Sequence, residues 1–154
     1  MNVGIIVYSY TGNTLSVAQK LEHALNGRGH STNIVMVEAL KNDPRSSDPI
    51  KLKSNPDVSP YDIIVFASPV QAFSLARIMK LYLSQVSDLS DKKVYCFVTQ
   101  RLKKRWLGGN HAVNQIKSAC KEKGSDILLS GIVNWSSDSR EEQIEDIINR
   151  LGSI

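Results

Sequence analysis

Cysteine is scarce in this chain. Cys96 and Cys120 are the only two, and their separation is not the C-x-x-C of a redox dithiol or a zinc site. Cys96 falls in an apolar strand pattern and Cys120 on the apolar stripe of a helix. Buried, reduced thiols fit those positions better than a disulfide or a metal site. Histidine is just as sparse: His23 lies beside a helix stripe, His30 in a turn, and only His111 begins a helix near a loop that carries chemistry. No metal site follows from three isolated rings. Long apolar runs are missing too. The longest are of strand length, too short to span a bilayer, so no membrane insertion is expected. The opening Met-Asn-Val enters a strand at once, without the basic and then apolar segments of a secretion signal, and cytoplasmic residence is the expectation. Neither G-x-x-x-x-G-K-[ST] nor G-x-G-x-x-G occurs, which excludes the P-loop and the dinucleotide fingerprint.

At 154 residues with 42% hydrophobic content, residues 1–154 are expected to form a single domain with a substantial core. Nineteen basic and 15 acidic residues give a net charge of +4, too small an excess to argue for nucleic acid. The excess is clustered, with Arg101, Lys103, Lys104 and Arg105 lying within five residues. Such a run is either a solvated loop or a docking patch for an acidic partner or a phosphorylated ligand.

Strand and helix patterns alternate along the chain. Apolar runs at 3–8 and 63–67 read as buried parallel strands, joined by strands at 32–37, 93–98 and 127–133. Helices are predicted over 13–26, with Thr14, Val17, Ala18, Leu21 and Leu25 on one stripe; over 74–86, with Leu75, Ile78, Met79, Tyr82 and Val86 inward; and over 110–123, with Ala112, Val113, Ile116, Ala119 and Cys120 inward. A last helix follows Ser139, which has capping-box spacing to Glu142, and buries Ile144, Ile147, Ile148 and Leu151. Residues 38–60 hold four of the five prolines, so an irregular connection with at most a turn or two of helix is expected there, pinned by Ile50, Leu52 and Val58. Five parallel strands with helical crossovers make a doubly wound α/β sandwich. Its ligands bind beyond the carboxyl ends of the strands, in the loops after the first, third and fourth strands.

The first of these loops is Ser9-Tyr10-Thr11-Gly12-Asn13-Thr14. Three hydroxyls and a glycine lie on a tight strand-to-helix turn whose amides point outward. This suits a phosphate group held without a lysine or a metal. Helix capping by Ser9 or Thr11 would account for one hydroxyl but not for three. The segment resembles the phosphate loop T/S-x-T-G-x-T of the flavodoxin family, complete and between the first strand and first helix, and the likeness extends over the whole chain. The resemblance implies strand order 2-1-3-4-5 and an FMN cofactor with its 5′-phosphate in this loop. The receivers of response regulators share the topology, but they need acidic residues after the first strand and an aspartate ending the third. Here those places hold Ser9-Tyr10 and Ser68.

By the same resemblance, the second loop, Ser68-Pro69-Val70-Gln71-Ala72-Phe73, lies along the N5 edge of the flavin ring. Phe73 either covers the ring or opens the next helix as a core residue. The family's electron carriers often have a glycine here whose peptide flips toward the reduced N5–H; this loop has none. The third loop, 99–109, lies against the pyrimidine edge, where Thr99, Gln100 and Arg101 can bond the ring and a cation would raise the potential. Trp106 stacks on the flavin or a partner, or packs over the sheet edge. Gly108 and Gly109 permit close backbone approach or simply form the turn before the helix. Trp135 packs locally or borders the cofactor rim.

An electron carrier docking onto redox partner proteins is the leading expectation. The alternative is a small oxidoreductase that reduces a quinone or similar acceptor with NAD(P)H. In either case the flavin does the chemistry and no catalytic side chain is required. Family carriers are usually acidic; the basic run 101–105 departs from that pattern and suggests an acidic protein partner or an anionic small molecule.

Overall fold

The computed structural model describes residues 1–104 and 106–154, so Arg105 of the basic run lies outside the described residues. The strands β1 (Asn2–Val7), β2 (Ser31–Met36), β5 (Ile63–Gln71), β7 (Lys93–Gln100) and β8 (Ile127–Asn134) form a parallel sheet in the order β2-β1-β5-β7-β8. With β1, β5 and the later strands counted as first, third, fourth and fifth, this is the expected 2-1-3-4-5 order. Helices α1 (Asn13–Gly27) and α4 (Arg140–Leu151) cover one face, and α2 (Arg77–Gln85) and α3 (Gly109–Glu122) cover the other.

Period-two alternation divides each strand between two cores. Val3, Ile5 and Val7 of β1 join Ile63, Val65 and Ala67 of β5 beneath α1 and α4. Ile6, Ile64 and Phe66 face Met79 and Tyr82 of α2 and Ile116 and Cys120 of α3. The stripe Thr14, Val17, Ala18, Leu21 and Leu25 is the buried set of α1, as its spacing predicts. Ala119 and Ile148, expected inward, are only half-buried at the margins of the two cores. Cys96 and Cys120 are free and buried, and burial pushes each thiol up to about 12.

Three local expectations change. First, β5 does not stop at Ala67. It runs to Gln71 and turns back as β6 (Ser74–Leu75), pairing Val70 with Leu75 and Gln71 with Ser74. Helix α2 therefore begins at Arg77 rather than Ser74, because the Ser74 and Leu75 backbone is engaged in a hairpin. Second, the proline-rich crossover contains a small antiparallel ladder, β3 (Glu38–Ala39) with β4 (Leu52–Ser54), in place of any helical turn. Ser54 fixes it, donating its hydroxyl to Met36 O at 2.8 Å and accepting from Glu38 N at 2.9 Å. Val58 is buried, and Ile50 and Leu52 pack against the α2–α3 core as expected. Third, Ser139 caps α4 by position only. Its side chain makes no capping bond, its amide donates to Ser137 Oγ, and its carbonyl accepts from Gln143 N. The acidic pair Glu141 and Glu142 still occupies the first turn, where it complements the helix dipole.

Candidate functional site

At the carboxyl end of β1 the chain leaves the sheet and enters α1 through Gly12, which has φ of +94°. A Cβ there would meet nothing within 4 Å, so the glycine is needed for its backbone angle and not for space. The left-handed turn sends the next amides outward. Gly12 N and Leu15 N donate to Ser9 Oγ at 3.2 and 3.4 Å. Among the described residues, the amides of Tyr10, Thr11, Asn13 and Thr14 donate to no protein acceptor. They are free donors at the positive end of a 15-residue helix.

The three hydroxyls of this loop differ in role. Ser9 caps the turn as an acceptor and keeps its own O–H to donate. Thr11 is exposed. Thr14 is buried, and its hydroxyl lies 2.8 Å from that of Thr99 at the end of β7. That contact ties the first loop to the third, at the place where β1, β5 and β7 end side by side.

The second loop is the β5–β6 hairpin. Ser68 is buried and donates to Pro69 O at 3.0 Å. Ala72 and Phe73 form its two-residue turn with φ of +50° and +61°, a conformation that asparagine and glycine adopt far more readily. Phe73 points outward and is 62% exposed. Two contacts hold this strained turn. Gln115 Oε1 of α3 accepts from Ser74 Oγ at 3.0 Å and Leu75 N at 2.8 Å. Gly108, with φ of +123°, sits so close that a Cβ there would fall 2.8 Å from Val70 Cγ1 and 2.9 Å from Phe73 Cα. Gly109 is similarly confined, by Ile132 and Gln100. The two glycines thus begin α3 and also let the hairpin close onto it.

In the third loop Thr99 and Gln100 remain in β7 and are buried. Gln100 Nε2 donates to Lys104 O at 2.7 Å and to Asn134 Oδ1, drawing the basic loop back over the sheet. Its Oε1 is buried and has no hydrogen-bond partner among the described residues. Arg101, Leu102, Lys103 and Lys104 are exposed. Trp106 is 64% exposed and does not pack over the sheet edge; Lys104 Nζ stands 5.9 Å from its ring centre. Trp135 packs locally, half-buried beneath Arg140, whose guanidinium lies 5.0 Å from the ring centre. His111 lines a separate groove between α2 and α3 with Lys80 and Gln115.

The three loops enclose one cavity of about 240 Å³, lined by Tyr10, Thr11, Asn13, Pro69, Gln71 and Thr99 among others. A second, of about 410 Å³, adjoins it and shares Val70, Gln100 and Arg101; Ala72, Phe73, Leu102 and Leu107 give it an apolar lining. Two further residues line the first cavity, Pro44 and Arg45 of the crossover. No periodicity could have placed them, because the segment is irregular. It is drawn toward the site by Tyr8, whose hydroxyl donates to Asn42 Oδ1 at 2.5 Å, and by Arg77, whose Nη1 donates to Ser46 O at 2.6 Å. Burial raises the Tyr8 phenol above its ordinary range, so it stays protonated and keeps that bond near neutral pH. Among the described residues, no carboxylate, histidine or cysteine lines either cavity. The combination of free amides, an exposed hydroxyl and the guanidinium groups of Arg45 and Arg101 suits an anion.

No protein-family model matches the chain, and no curated protein matches it. Solved structures do. A two-electron-reduced flavodoxin from Megasphaera elsdenii aligns with TM-score 0.71 and 18% identity over 99% of each chain. Flavodoxin 2 from Bacillus cereus, in its oxidised form, gives the same four figures: 0.71, 18%, 99% and 99%. A flavoprotein in complex with FMN from Lactobacillus acidophilus aligns with TM-score 0.63 and 17% identity, over 94% of this chain and 97% of its own. At these identities the likeness is one of architecture, and together with the observed strand order it establishes that the chain has a flavodoxin-like fold.

Proposed function

We propose that the protein binds FMN non-covalently and acts as an electron carrier. The observation that carries this reading is the convergence of the free amides on either side of Gly12 with the ends of β5 and β7 on one cavity. The donor set fits the group. A phosphate monoester matches the amides of Tyr10, Thr11, Asn13 and Thr14 and the hydroxyl of Thr11. An electron-rich ring edge matches the guanidinium of Arg101, which lines both cavities. One of the structurally similar proteins is described in complex with FMN.

When bound, the flavin would supply electron uptake and release in one- or two-electron steps. The residues of this chain bind, orient and tune it. The amides of the first loop and Thr11 hold the phosphate end. Val70, Leu102 and Leu107 exclude water on the apolar side. Arg101 places positive charge beside the site and favours the reduced, more negative state. Among the described residues no carboxylate, histidine or cysteine lines either cavity, so under either reading the redox chemistry would rest with the flavin. The adjoining cavity of about 410 Å³ supports the second reading, reduction of a quinone or similar acceptor with NAD(P)H. Among the described residues no helix is long and apolar enough to cross a membrane, and two free buried thiols support residence in the reducing cytoplasm.

The test is a visible spectrum of the purified protein titrated with FMN, followed by stepwise reduction. A colourless protein that takes up no FMN overturns the proposal. Appreciable steady-state oxidation of NAD(P)H with a quinone, by the loaded protein alone, replaces the carrier with the enzyme.

A further inference from the structure

Eight large apolar side chains are exposed among the described residues, and four of them, Tyr10, Phe73, Leu102 and Trp106, stand on the three loops around the cavities. They alternate with cations. Arg45 and Arg101 line the first cavity, and Lys103 and Lys104 continue the charge outward on the third loop. None of the four cations appears in the ion pairs of the described residues. Elsewhere Lys20, Lys41, Lys53 and Lys92 lie within 4.0 Å of a carboxylate, while other surface lysines such as Lys51 and Lys117 are also outside these pairs, so the rim is set apart by its cations standing among exposed apolar side chains.

We infer that this rim is a docking surface for an acidic redox protein, a reading that rests on the flavin-binding function proposed above. Exposed aromatic and aliphatic side chains ringed by unpaired charge of one sign are the composition of a transient protein contact. The apolar groups supply burial and the charge supplies steering and orientation. A small anionic substrate would need the charge inside the cavity, as at Arg45 and Arg101. It has no use for Lys103 and Lys104, which lie outside both linings. On docking, one electron passes between the partner's redox centre and the bound cofactor, oxidising one by one unit and reducing the other. Solvent exchanges any accompanying proton.

The pair Lys103→Glu and Lys104→Glu tests this without touching either cavity. The Lys104 carbonyl that holds Gln100 belongs to the backbone and is retained. The probes are an acidic [2Fe–2S] ferredoxin and the basic cytochrome c, titrated calorimetrically into the protein with and without FMN, at low and at raised salt. The expected result is binding of the ferredoxin and not of cytochrome c, weakened by salt. The double variant should weaken it roughly tenfold or more while its FMN uptake, read from the visible spectrum, is unchanged. Equal binding of both probes, no ferredoxin binding with or without FMN, or binding unaffected by the two substitutions overturns the docking surface. A double variant that instead raises KM for a sulfonated quinone, with no ferredoxin binding, assigns the charge to an anionic small molecule and also overturns it. FMN uptake is measured separately, so failure of cofactor binding and failure of docking are distinguishable.

Discussion

The turn at Ala72 and Phe73 stores conformational energy that can be measured. Both residues have positive φ, +50° and +61°. Left-handed backbone costs an ordinary L-residue roughly 1–2 kcal/mol, so the pair holds about 2–4 kcal/mol against folding. The double substitution Ala72→Asn and Phe73→Gly supplies residues that favour this turn type. Glycine returns about 0.5–1 kcal/mol through the greater freedom of the unfolded chain. Phe73 is 62% exposed, so removing its ring sacrifices little burial. The net gain should be about 1–2 kcal/mol. For a chain of this size that raises Tm by roughly 2–8 °C. Urea and thermal unfolding of the ligand-free protein measure it. Phe73→Ala serves as the control, since it removes the ring but leaves the backbone demand, and should not stabilise. A double variant that melts at or below the parent refutes the argument, because ring packing would then outweigh backbone strain.

Other perturbations have distinct signatures. Thr11→Ala should weaken FMN binding by roughly 1.5–3 kcal/mol and leave riboflavin binding unchanged, because only FMN carries a phosphate; equal losses by fluorescence titration would count against the assigned end of the ligand. Thr14→Val leaves the Thr99 hydroxyl buried without its partner and should reduce folding stability by about 1–3 kcal/mol, measured by urea unfolding. Gly108→Ala drives a Cβ into Val70 and the Phe73 backbone and should cost about 1–3 kcal/mol, together with FMN affinity, by the same assays. The thiols of Cys96 and Cys120 are raised from 9.0 to about 12 by burial. Between those values the unfolded chain has lost their protons and the folded chain has kept them, so stability falls as pH rises from about 9 to about 12. Each thiol contributes up to about 1.4 kcal/mol per pH unit. Cys96→Ala with Cys120→Ala should flatten that alkaline slope.

The regular parts of the fold were legible because their burial is periodic. Val17, Leu21 and Leu25 repeat every four residues, and β1 alternates between two cores, so each pattern has one packing solution. The hairpin at 68–75 was not legible. Ala-Phe is a poor sequence for its turn, and the contacts that impose it come from Gln115 and Gly108, far along the chain. Ser139 showed the capping spacing but lost its amide to Ser137, a local competition that spacing does not register. At the site, the residues of the three loops were found by their places after β1, β5 and β7. Arg45 was not, because its position depends on how an irregular segment is tied down. The separate roles of Ser9, Thr11 and Thr14 likewise emerged only once Thr99 was seen beside Thr14.

The crossover that carries Arg45 is joined to the rest of the molecule in an unusual way. It contributes nothing to the main sheet. Near the site it is moored by the Tyr8–Asn42 bond and by the grip of Arg77 on Ser46. The short stretch between Asn42 and Ser46, tied at its two ends, can be exchanged for another of similar span without disturbing the strands beneath. Of the cations in the docking surface proposed above, Arg45 alone thus sits in a replaceable part, while Arg101 and the ligand cradle around Gly12 are built onto the scaffold itself. A chimera that keeps Asn42 and Ser46 but replaces Pro44 and Arg45 would alter the docking surface and leave the fold intact.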